Sequence, residues 1–183
     1  MGNERWIVKQ VANYPAAAEK GIVEIGAGEG KLLQKLAGFG PVTGLDFAPR
    51  PTDIDSSARW HQDDVFSAMY TLSGGVLVAC LFLHHFEDSQ LGRLSRMIQR
   101  FDVVCLVEPL RHPLSLVCGA LMLPFVNRVT RHDMPVSIRA SFDPGELVDV
   151  LGIGEDRYAI EETCSWRGGI RTLCVRRQPT NIR

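Results

Sequence analysis

The chain has almost no excess of either charge: 20 Lys and Arg stand against 21 Asp and Glu in 183 residues, a formal net charge of -1. That balance, with no basic arm, gives no global attraction to nucleic acid or an anionic membrane, and only Arg128, Arg131 and Arg139 supply the makings of a local basic patch. No nucleic-acid partner is therefore expected. Cysteine pairs are absent as well. The five cysteines, Cys80, Cys105, Cys118, Cys164 and Cys174, are odd in number, scattered mostly through apolar runs, and include no C-x-x-C. They imply neither a zinc site, nor any other metal, nor a disulfide framework, and suit reduced thiols in a cytoplasmic protein. Met1 to Gln10 is polar with scattered apolar residues and does not read as a secretory leader. The apolar run Pro113 to Val126 falls short of the roughly 20 residues of a membrane span, and Pro124 would break it.

What is present is an ordinary globular composition, 45% hydrophobic and 22% charged, at a length that suits one domain with a real core. The stretch Gly21 to Leu36 organises the rest. Ile22 to Ile25 is a short β-branched run bounded by glycine, and Leu32, Leu33 and Leu36 fall at helical spacing, so the stretch predicts strand, glycine turn and helix. Glycines permit positive φ and let a ligand lie against the backbone, while the first amides of the helix face it. A dinucleotide-binding turn spaces its glycines G-x-G-x-x-G; here Gly26, Gly28 and Gly30 bring the third one residue early. Glu24, near the carboxyl end of the strand, is a poor neighbour for a pyrophosphate and a good one for a cation. Asp46 ends the next predicted strand, Pro41 to Asp46, at the spacing from Gly26 where nucleotide-binding α/β folds place a carboxylate on ribose hydroxyls.

Glu24-Ile25-Gly26-Ala27-Gly28-Glu29-Gly30 resembles the first motif of class I S-adenosylmethionine-dependent methyltransferases. The resemblance implies an α/β, doubly wound, Rossmann-like seven-stranded sheet of order 3-2-1-4-5-7-6 with its last strand antiparallel. The whole chain, 1–183, would form one domain, with an N-terminal helix in 1–20 and an acceptor-side helix and lid in 110–142. It further implies S-adenosyl-L-methionine as cofactor. Glu24, Gly26, Ala27, Gly28 and Gly30 would take its methionine end, and Asp46, followed by Phe47, its ribose. Asp64 would take its adenine amino group with Val65 against the ring, and Cys80 stands where relatives often carry a polar residue. The alternative is that Asp63 and Asp64 both cap the next helix.

The remaining chain reads in order as follows. Asn3 caps a short helix with Trp6, Ile7 and Val8 or Val11 on one face, ended by Tyr14-Pro15. Phe47 to Ser57 holds at most one short helix, and Trp60 to Gln62 is a brief third strand. Gly75 stands where many relatives have aspartate, and Val76 to Leu83 is a fourth strand buried on both faces. His84-His85-Phe86 follows it, resembling a segment of small-molecule methyltransferases, then a helix burying Leu91, Leu94, Met97 and Ile98. Asp102 to Val107 is a fifth strand ending in Glu108, which either faces an acceptor or bonds loop amides or Arg111. Pro113 to Val126 reads as a buried helix, or one that also lines an acceptor pocket or meets a lipid surface. Asn127 to Phe142 is polar and irregular. Asp143-Pro144 opens a helix with proline first, and Tyr158 to Cys164 and Ile170 to Arg176 form a hairpin around Trp166 to Gly169.

Methyl transfer needs mainly alignment and exclusion of water, with a base only where the acceptor loses a proton. His84 and His132, the latter beside Asp133, are the catalytic candidates, each balanced against an imidazole packed beside the cofactor or bonded to backbone. The expected activity is methyl transfer to a small, fairly apolar acceptor of phenolic or polyketide-like type. The competing readings are an inactive methyltransferase-fold binding partner, and a nicotinamide-dependent oxidoreductase, which the glycine spacing and Glu24 oppose. Association as a homodimer or with a partner enzyme is compatible with either.

Overall fold

The computed structural model describes residues 2–68, 70–111, 141–165 and 169–178. Its elements are α1 (Gly2–Ala12), α2 (Pro15–Ala18), β1 (Ile22–Ile25), α3 (Lys31–Leu36), β2 (Val42–Asp46), β3 (Arg59–Gln62), α4 (Val65–Ala68), β4 (Gly74–Cys80), a 3-10 turn (Leu83–His85), α5 (Asp88–Ile98), β5 (Phe101–Pro109), α6 (Glu146–Val150), β6 (Tyr158–Ser165) and β7 (Gly169–Arg176). The strands form one seven-stranded sheet in the order β3-β2-β1-β4-β5-β7-β6. The first five pair in parallel, and β7 runs antiparallel to both β5 and β6. This is the doubly wound α/β sheet that the family resemblance implies.

Side chains alternate between two buried layers, as the pleat requires. On one face Ile22, Val76, Val78 and Cys105 meet Ile7 and Val11 of α1 and Leu32, Leu33 and Leu36 of α3. On the other, Val23, Ile25, Leu77, Ala79 and Leu106 meet Leu91, Leu94, Met97 and Ile98 of α5. The helical spacing of these leucines decides which face each helix buries.

Close backbone approach sets the seat of α2. A Cβ built on Gly75 would lie 1.7 Å from the Ala17 carbonyl oxygen, and one on Gly40 would lie 2.2 Å from that of Ala18. The aspartate common at the start of this strand in the resembling family has no room here. Gly75→Ala is expected to cost about 3 kcal/mol, because the obstacle is backbone and neither partner can turn away. A shift of the urea midpoint at unchanged slope checks this.

Several boundaries differ from the sequence reading. Asn3 lies inside α1, and its Oδ1 accepts from Arg171 Nη2 at 3.1 Å; long-range pairing displaces the capping role. The segment 47–57, by contrast, keeps to the expectation of at most one short helix: it forms none, and the Arg50 guanidinium donates to the carbonyls of Ala58 and Asp55 at 2.6 and 2.7 Å. β4 stops at Cys80 because Leu81 turns to φ 57. α6 starts at Glu146, after Gly145 at φ 84, which leaves Pro144 outside it. The apolar run 113–126, His132 and the hairpin tip 166–168 lie outside the described residues. Of 110–142 only the two ends are described: Leu110 bridges Phe142, and Arg111 N donates to the Phe142 carbonyl at 2.9 Å.

Candidate functional site

The site lies where β1, β2 and β4 end, at the carboxyl edge of a parallel sheet, where open α/β folds bind ligands. Gly26, Gly28 and Gly30 have φ of 68, 52 and 71, so all three turn residues occupy the left-handed region that glycine enters without cost. The Gly26 and Ala27 amides donate to the Leu45 carbonyl at 2.9 and 3.2 Å, which fastens the turn to β2. A Cβ on Gly26 would meet the Phe82 ring at 2.2 Å, and one on Gly30 would meet Ile54 at 3.1 Å, whereas one on Gly28 would meet nothing within 4 Å. Open space therefore begins at Gly28.

Asp46 borders that space. Its Oδ2 accepts from Gly28 N at 2.7 Å and its Oδ1 from Ala48 N at 2.8 Å, so the carboxylate is held at both oxygens while keeping lone pairs for further donors. Phe47 stands beside it with 72% of its surface exposed.

Glu24 is only 4% exposed. The Leu33 backbone near the start of α3 interacts favourably with its charged form, but its Oε2 is buried without a partner. Burial, then the charge of Glu4, pushes its pKa up to about 8, with Asp46 adding a smaller push and the Leu33 backbone opposing. An acid so placed lacks a proton donor or a cation. The partnerless oxygen, the open side of the turn and the paired Asp46 together fit a ligand carrying both an ammonium group and hydroxyls.

The other predicted residues are placed as follows. Asp64 caps α4, its Oδ1 accepting from Phe66 N at 2.9 Å, and Val65 is buried in the core beneath it. Capping is thus the role the geometry records for Asp64. Cys80 is half-buried at the end of β4, and burial, reinforced by Glu24 and Glu108, pushes its thiol up to about 12, which keeps it protonated. His84 is buried, with Nδ1 2.7 Å from Glu108 Oε2. Glu108 bonds the amides of the loop after β4, one of its two predicted roles, while Arg111 pairs with Asp143 and Glu146. Two features carry no signal in the sequence: Phe82 sits on Gly26, and Leu81 is the sole non-glycine residue of positive φ among the described residues, 47% exposed at the sheet edge. An unbroken apolar run gives no signal for such a turn.

A groove of about 470 Å³ lies elsewhere, at the opposite edge of the sheet between Tyr14, Lys20, Asp102 and Arg176. Lys20 and Arg176 both pair with Asp102 there, at 2.7 and 3.4 Å. Among the described residues no three or more His, Cys, Asp or Glu gather as a metal site, and no helix is long and apolar enough to cross a membrane.

No family model matches the chain, and no curated protein matches it in sequence. Solved structures do match in fold. The plantazolicin methyltransferase BpumL, in complex with S-adenosylhomocysteine, is 12% identical at a TM-score of 0.72, covering 97% of this chain and 86% of its own. Human N-acetylserotonin methyltransferase, in complex with S-adenosylmethionine, is 13% identical at 0.67, covering 96% and 52%. Magnesium protoporphyrin IX methyltransferase from Synechocystis PCC 6803, with bound S-adenosylhomocysteine, is 14% identical at 0.62, covering 96% and 84%. The fold of this chain is the Rossmann-like fold of these methyltransferases.

Proposed function

We propose that this chain is an S-adenosylmethionine-dependent methyltransferase acting on a small, fairly apolar acceptor, of phenolic or polyketide-like type. The observation that carries this reading is the buried, partnerless Oε2 of Glu24 behind a turn of three positive-φ glycines. A carboxylate there receives the ammonium group, Asp46 accepts from the ribose hydroxyls, and the exposed Phe47 ring beside it offers an apolar surface to the base. The binding of S-adenosylmethionine or S-adenosylhomocysteine by the structural neighbours supports the same cofactor.

When bound, the cofactor supplies an electrophilic methyl group with its own leaving group, so the protein has mainly to align the acceptor and exclude water. Leu81, held out at the sheet edge, offers apolar surface to an acceptor, and the composition of 113–126 would extend it. Where the acceptor must lose a proton, His84, oriented by Glu108, is the base candidate the described residues provide, and His132 beside Asp133 is the other. The small-molecule names of two neighbours, N-acetylserotonin and magnesium protoporphyrin IX, favour an acceptor of this kind. Reduced cysteines, two of them buried, suit a cytoplasmic setting.

The test is transfer of label from methyl-tritiated S-adenosylmethionine to a panel of phenols, carboxylates and amines. Labelled product with a phenolic acceptor, lost in Asp46→Ala, is expected. Cofactor binding without transfer to any member of the panel would point instead to a fold kept for binding a partner.

A further inference from the structure

Glu108 lies at the end of β5 with none of its surface exposed. A buried carboxylate is costly unless every oxygen is bonded, and here every recorded donor comes from one short loop. Oε1 accepts from Phe82 N at 3.0 Å and Leu83 N at 2.8 Å; Oε2 accepts from His84 N at 3.4 Å and meets His84 Nδ1 at 2.7 Å. A carboxylate has no proton to offer, so in this pair Nδ1 is the donor.

The loop so gathered begins with Leu81 at φ 57, its amide donating to the Val107 carbonyl at 2.7 Å. A left-handed leucine costs about 1 to 2 kcal/mol and persists only where its surroundings over-determine it. Next comes Phe82, whose ring packs against Gly26 so closely that a Cβ there would lie 2.2 Å away. Phe86 meets that ring edge to face at 5.1 Å between centroids. An apolar residue at 108 would hold β5 in the core at lower cost, so the buried charge is explained by the loop it orders, and that loop walls the glycine turn.

We propose that Glu108 is a positioning residue of the cofactor site: by gathering the 82–84 amides and His84 Nδ1 it sets Phe82 against Gly26 and leaves the Gly28 side open to the ligand. This rests on the cofactor reading given above. The variants are Glu108→Gln, Phe82→Ala, their double mutant, and Val11→Ala as a core control in the other buried layer, on α1. Each is measured for thermal midpoint, for S-adenosylhomocysteine affinity by titration calorimetry, and for imidazole tautomers by 15N NMR.

Glu108→Gln is expected to weaken S-adenosylhomocysteine about tenfold and to change the His84 tautomer signal. Phe82→Ala should weaken binding similarly, and the double mutant should add little, as expected of coupled residues. Val11→Ala should lower the thermal midpoint and leave affinity within about twofold, which separates positioning from general destabilisation. Glu108→Gln binding as tightly as wild type would overturn the inference. Should that variant fail to fold, Phe82→Ala decides alone, and unchanged affinity there overturns it. Wild-type protein that binds no S-adenosylhomocysteine would overturn the cofactor reading itself, and this inference with it.

Discussion

Glu24→Gln is expected to make the protein more stable at pH 8 and, at the same time, weaker for its cofactor. The folded pKa of Glu24 stands at about 8 against an ordinary 4.5, raised first by burial and then by Glu4. Below 4.5 the acid is protonated folded or unfolded, and its contribution is fully present. As pH rises toward about 8 the unfolded chain gives up the proton that the folded chain retains, and stability falls. Glutamine, neutral throughout, escapes a loss on the order of 4 kcal/mol at pH 8, and differs little from wild type near pH 4. Its unpartnered N–H costs no more than the unpartnered O–H of the protonated acid. Urea denaturation at the two pH values measures the difference. The same substitution removes the charge that meets an ammonium group, and affinity for S-adenosylmethionine should fall by about tenfold or more. A variant no more stable than wild type at pH 8 would show that Glu24 is ionised in the empty site.

Asp46→Ala is the second large effect, and it falls on binding rather than on folding. The carboxylate spans Gly28 N and Ala48 N, so its loss frees two amides beside solvent, at a cost of about 1 kcal/mol. In the proposed complex it also accepts from two ribose hydroxyls, and charge-assisted bonds contribute roughly 1.5 to 3 kcal/mol each. Affinity should therefore fall by about a hundredfold or more while the thermal midpoint drops a few degrees. Equilibrium dialysis against labelled S-adenosylhomocysteine separates the two. Asp46→Asn, which keeps an acceptor oxygen but loses the charge, should fall between wild type and alanine.

The front of the site was legible because its signals are local. Three glycines at fixed spacing, an acid two residues before the first, and a second acid at the end of the next strand need no knowledge of distant chain, and the structure brings Glu24, Gly28 and Asp46 to one edge. The order of the sheet was legible only through the family resemblance that these residues carry. Features decided by distant contacts were not legible. Leu81 turns left-handed because β5 takes its amide, so the apolar run that reads as strand to Leu83 ends three residues early. Asn3 reads as a cap, yet Arg171, far away in sequence, claims its side chain. Glu108 presented two roles of equal merit, and only the fold shows the loop amides gathered around it. For Asp64 the resemblance favoured the adenine amino group, with helix capping as the alternative, and the bond the fold makes is the cap.

This edge of the sheet is proposed to receive S-adenosylmethionine. Titration calorimetry of the folded protein with S-adenosylmethionine and S-adenosylhomocysteine, with NADH alongside, tests it most directly. Micromolar binding of the first two and none of NADH is the predicted result. Folded protein that binds neither, or that binds NADH in their place, would contradict it.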